Sequence, residues 1–148
     1  MSKSDKFEYD LLRAVFNGTA ITNISATAGT TSLWAALCTA DPADAGSTAA
    51  EGGYTQYARV QTDRSSGASG WSVTSGASTG PAGASPVGNI DFPQNLTTST
   101  GAFTHVAIYP SSNAQASSAL YIGTVTPNIN FSQNVIPRLT TGSSITET

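Results

Sequence analysis

One histidine, one cysteine and nine acidic side chains are what this 148-residue chain offers for acid–base, nucleophilic or metal chemistry. Nucleophilic catalysis needs a nucleophile, a base and an orienting group brought together. His105 falls inside the alternating run Phe103 to Tyr109, on the face that strict alternation gives to Phe103, Ala107 and Tyr109. Such a position suits packing or a capping hydrogen bond better than a general base. Cys38 shares the face of Trp34 and reads as a small core residue. A structural zinc needs three or four Cys and His ligands, more than this chain holds. Asp41 and Asp44 in TADPADAG lack the twelve-residue calcium-loop pattern and its terminal Glu. Asp41-Pro42 reads more simply as a turn. Asp91, close to Asn89, has no acidic mate in sequence for glycoside hydrolysis. The expectation is a protein without catalytic residues, metal or cofactor.

Recognition chemistry is equally thin. No Lys follows the last Gly of the glycine-rich tract, so a phosphate loop is not spelled. Six scattered cations and a pI near 4.7 argue against nucleic acid as a partner. Trp71, Tyr54 and Tyr57 could form a sugar-binding platform, although core filling is the commoner use of such residues in a sandwich. No apolar run approaches a membrane span, and Met1 to Asp10 is polar and charged. We therefore expect no membrane partner and synthesis in a cytoplasm. The lone Cys38 agrees with a reducing compartment. Sequons at Asn17, Asn23, Asn95 and Asn130 are then read as chance in a Ser/Thr-rich chain.

Residues 4–16 predict a helix. Phe7, Leu11 and Val15 recur at four-residue spacing, with Tyr9, Leu12 and Phe16 in an adjoining stripe. Ser4 or Asp5 can cap its start and Asn17-Gly18 its end. Its apolar arc is wide, which leaves packing on its own sheet and docking on another subunit both open. Beyond Gly18, strands are expected at 32–39, 54–62, 71–74, 87–92, 103–109 and 120–126, with shorter ones near 129–131 and 139–146. The fold class is all-β, a jelly-roll-like β-sandwich of about eight strands with one short N-terminal helix. Residues 1–18 form the helical segment and 19–148 the sandwich, with a Gly/Ser/Ala-rich loop at 65–88 around a short Trp71 strand.

Charge is the most unusual property. From Ser65 onward the chain carries only Asp91, Arg138 and Glu147, and no Lys follows Lys6. Natural sheets protect their edges with Lys, so these edges are expected to be short, bent or covered by other protein. Leu, Ile, Val and Phe are scarce, while Ser, Thr, Ala and Gly make up just over half of the residues. Binding of the folded form by neighbours would supply the missing stability.

The segments FEYDLLRAVFNGT, SLWAALCTADP, YTQYARV, NIDFP, FTHVAIY and LYIGTVTP occur in this order along the chain. Together they resemble small all-β virion proteins of tailed bacteriophages, the head decoration and tail-fibre-like proteins. The resemblance implies a structural role and supplies no catalytic motif. No heptads, collagen triplets or β repeats are present from which a long shaft could be built. The function expected is a capsid decoration, or cement, protein on the outer capsid surface, bound to the major capsid protein and present as a homo-oligomer. The alternative is a tail-fibre-like or tail-tube subunit that could bind carbohydrate or a receptor. Phe7, Tyr9, Leu11, Leu12, Phe16 and Trp71 are the candidate interface residues.

Overall fold

The computed structural model describes residues 2–18, 20–21, 32–42, 50–74, 83–112 and 119–146. Asp44, Asn23 and the stretch 75–82 of the glycine-rich tract lie outside the described residues. Strand β1 (Ser2–Lys3) leads into helix α1 (Asp5–Asn17). Ser4 caps the helix by accepting from the Phe7 N–H at 3.2 Å, and its hydroxyl donates to the Ala119 carbonyl. Gly18 ends it at φ 64°, the left-handed conformation that favours glycine, and its N–H reaches the Arg13 carbonyl.

The principal sheet is built from β1, β2 (Ser32–Cys38), β3 (Val60–Asp63), β7 (Gly101–Tyr109) and β8 (Tyr121–Phe131). Its order is β1-β8-β7-β2-β3, with every neighbouring pair antiparallel. Two small antiparallel sheets complete the fold. One joins β4 (Trp71–Thr74), β5 (Gly83–Pro86) and β10 (Ile145–Thr146) in the order β10-β5-β4. The other pairs β6 (Ile90–Asp91) with β9 (Arg138–Leu139). The protein is thus all-β with one short helix among the described residues.

The larger core cluster draws Ala35, Leu37, Val106 and Ile108 from the principal sheet, Ile145 from the second and Ile90 with Leu139 from the third. The small sheets therefore share one face of the large one. A smaller cluster on its other face contains Ala36, Cys38, Ala107, Tyr109 and Ile122. The scarcity of large aliphatic residues is met by rings. Phe103 and Phe131 lie 4.7 Å apart, Tyr54 stands 5.6 Å from Phe131, and Tyr57 stacks on Phe92 at 6.1 Å. Such pairs add about 0.5–1.5 kcal/mol each beyond the area they bury.

Three departures from the expected elements have physical causes. The strand foreseen over 54–62 starts only at Val60, because Tyr54 to Tyr57 make a turn closed by the Tyr57 N–H on the Tyr54 carbonyl at 3.1 Å. The tract expected as a loop contains a second strand, β5, paired with β4 from Trp71↔Pro86 to Thr74↔Gly83. Its residues Gly-Ala-Ser-Pro pair through backbone and show no apolar alternation. A register shift between Phe103 and His105 also breaks the alternation of β7. Phe103 pairs with Ile129 but His105 with Thr124, so β8 carries three more residues than β7 across this stretch. The odd shift exchanges faces, and Phe103 joins Val106 and Ile108 in the larger cluster while Ala107 and Tyr109 enter the other.

Phe131 is hemmed in by two glycines. A methyl group on Gly53 would stand 2.5 Å from its ring and one on Gly101 2.7 Å. We expect Gly53→Ala and Gly101→Ala each to cost about 1–3 kcal/mol through overpacking, measured by urea unfolding. An unchanged midpoint in both would refute this packing.

Candidate functional site

The residues with chemical potential come together at the end of β2. Cys38 and His105 are register partners on adjacent antiparallel strands, a juxtaposition that sequence distance concealed. It is not a thiolate–imidazole pair. Burial first, and then the Glu51 charge, push the Cys38 thiol up to about 12, so it stays protonated and unreactive. The His105 Nδ1 lies 2.8 Å from the Thr104 hydroxyl, and its Nε2 lies 4.0 Å from an Asp41 carboxylate oxygen. Among the described residues, no group of three or more His, Cys, Asp and Glu side chains could hold a metal.

Behind Cys38 lies a buried ion pair. The segment 50–52 runs against the end of β2, with Thr39 N–H donating to Ala50 O at 2.8 Å and Gly52 N–H to Leu37 O at 3.1 Å. Glu51 thereby faces inward and takes a two-pronged grip from Arg59, Nε to Oε1 at 2.8 Å and Nη2 to Oε2 at 2.7 Å. Only 4% of the Arg59 side chain and 9% of Glu51 remain exposed. Arg59 also donates to the Ser111 carbonyl at 3.1 Å and lies 3.6 Å over the Tyr109 ring. Burial would lower the Arg59 pKa, but the hydrogen bond and charge of Glu51 outweigh it and leave the guanidinium firmly charged. Tyr57 extends the network, accepting from the Leu37 N–H at 2.7 Å.

The proposed sugar platform is used internally. Tyr54 is buried and donates to the Pro93 carbonyl at 2.5 Å, while Tyr57 serves β2. Trp71 is half-buried, and its indole N–H donates to the Thr62 hydroxyl at 3.0 Å. The helix residues are placed differently. Phe7 packs edge-on against Tyr121 at 5.6 Å. Beyond it exposure climbs along the chain, from 39% at Leu11 through 57% at Leu12 and 66% at Val15 to 79% at Phe16. Tyr9 is also exposed, with Arg13 5.5 Å over its ring. The structure groups the helical candidates and sets Trp71 apart, where it lines two grooves of about 290 and 610 Å³ between the sheets.

A second exposed apolar group, Leu96, Val135 and Ile136, sits on loops held by a buried side chain. Asn95 accepts from the Thr97 N–H at 2.9 Å and donates to the Ser99 carbonyl at 2.8 Å, while its backbone N–H meets the Val135 carbonyl at 3.0 Å. Full burial also rules out this asparagine as an accessible glycan acceptor.

Breaking the buried pair by Glu51→Gln should cost about 3–5 kcal/mol, because Arg59 would be left charged and unmatched. The cross-strand pair Asp91–Arg138 is the control. It is bidentate, with Arg138 Nη2 2.8 Å from Asp91 Oδ2, yet each side chain is about half exposed. Asp91→Asn should therefore cost under about 1 kcal/mol. Hydrogen bonding to Arg138 lowers the Asp91 pKa, so this small contribution is present above the ordinary carboxylate range and fades as the pH falls through the lowered value. Comparable denaturation midpoints for the two variants would contradict the assignment. At alkaline pH the sign reverses. Burial pushes the Cys38 thiol from its ordinary 9.0 up to about 12, so the stability it contributes is complete below pH 9 and lost as the pH rises towards 12. Cys38→Ala should flatten the decline of melting temperature over that range, and native wild-type protein should resist a thiol reagent until unfolded.

No curated protein matches the chain. A family model described as "Podophage GP4 fiber I protein gp80" matches residues 2–146, nearly the whole sequence. The match agrees with the resemblance to small phage virion proteins, and the chain belongs to the podophage GP4 fiber I protein family.

Proposed function

We propose that the chain is a structural subunit of a phage fibre, which works by burying its neutral surfaces against other virion proteins and not by chemistry. The observation that carries this reading is the outward apolar face of α1, Leu11, Leu12, Val15 and Phe16, on a chain with so little charge. Exposed apolar patches of this kind mark interaction sites. The family description supports the fibre setting. Repeated contacts of standard size, about 1,600 Å² each, would give an avidity far above any single one.

Capsid decoration is the second reading, with the major capsid protein as partner and the outer capsid surface as location. It is favoured by the lack of heptads and β repeats, since a block without a shaft suits a shell as readily as an appendage. In that setting each copy would bridge capsid subunits that internal DNA pressure pulls apart. Immunogold labelling of purified virions tests both. Label on the fibres is expected; label over the shell would replace this reading with decoration, and particles without label would remove both.

A further inference from the structure

We propose that helix α1 of one copy docks into the larger apolar groove of a second copy, with Glu8 set against Arg64. The chain carries both halves of such a contact. The helical half is the strip formed by Leu11, Leu12, Val15 and Phe16, whose exposure rises with distance from the anchored first turn. Together with Tyr9 it presents about 500 Å², comparable with the largest patch on a typical monomer. The receiving half is the groove of about 610 Å³ between the principal sheet and the β10-β5-β4 sheet. Leu33, Trp71, Val73, Ile108, Tyr121 and Ile145 line it, and Val73 on its rim is largely exposed.

Charge favours this arrangement over parallel pairing of helices. Glu8 precedes Leu12 by four residues and Val15 by seven, which puts a carboxylate in line with the apolar strip. Parallel association of helices would set Glu8 beside Glu8 and cost binding energy. The groove carries the opposite sign, with Arg64 in its lining beside Ser65 and Ser66. An amphipathic helix laid in an apolar groove with a matched charge at one end is a recurrent recognition mode.

Helix and groove are different surfaces of one chain, so the contact is head-to-tail. Repetition of such a contact closes a ring or extends a filament. Counting both partners, about 1,000 Å² would be buried, near the lower bound for a specific interface. A single contact is therefore weak, and its strength comes from repetition. The proposal takes its biological setting from the reading of the chain as a virion subunit; the contact itself belongs to the purified protein.

Sedimentation equilibrium of the full chain tests it. Wild type should gain mass as its concentration rises, and Phe16→Asp should abolish the gain while keeping the native near-ultraviolet circular dichroism. Glu8→Arg and Arg64→Glu should each weaken association roughly tenfold, and the double variant E8R/R64E should recover most of the loss. Glu8→Gln, which weakens without reversing charge, serves if Glu8→Arg disturbs the helix start. A wild type that stays monomeric, a Phe16→Asp variant that associates normally, or a double variant weaker than either single one would each overturn the contact. A monomer that still enters virions would sink the docking alone, whereas association in a protein absent from virions would sink the virion reading alone.

Discussion

The fold is organised around one buried charge pair. Arg59 clamps Glu51, covers the Tyr109 ring and holds the Ser111 carbonyl, so one guanidinium ties the segment after β2, the approach to β3 and the end of β7 into a single unit. Burying two charges is expensive, and the arrangement is tolerable only because the geometry is bidentate and further donors and acceptors surround it. Its return is definition. A sheet rich in Ala, Ser and Thr has few large side chains to specify how its strands meet, and a directional polar clamp does that in their place. Cys38 sits in the shelter of this network, which is why its thiol is inert.

The aromatic cluster performs the complementary task on the opposite face. Tyr54, Tyr57, Phe92, Phe103 and Phe131 pack as a connected set of rings, filling volume that Leu and Ile fill in most domains. The tyrosines also satisfy backbone groups, Tyr57 for Leu37 and Tyr54 for Pro93. Small residues at Gly53 and Gly101 make room for Phe131, so the poverty in bulky side chains and the close ring packing are two aspects of one design.

Much of this architecture was legible from the chain alone, for stated reasons. β2, β7 and most of β8 show in their alternation, β4 in its Trp and Val, and α1 in its four-residue spacing between a Ser cap and a glycine stop. Three features were not. β5 is made of residues whose side chains carry no periodic signal. The irregularity beside Thr104, where β8 carries three extra residues, breaks a ladder that strict alternation reads as unbroken. The Glu51–Arg59 pair joins a loop to a strand approach eight residues away, where no period operates. A faint cue existed, since two opposite charges so close together are conspicuous where charge is rare. The helix raised two possibilities, packing inward or facing outward, and the structure places most of its apolar stripe outward.

The hydrogen bond and ring contact described for α1 both come from its start, Ser4 on Ala119 and Phe7 on Tyr121. Both described contacts lie at the root, and a tilt of a few degrees there would move Phe16, about 14 Å further along the axis, by on the order of an ångström.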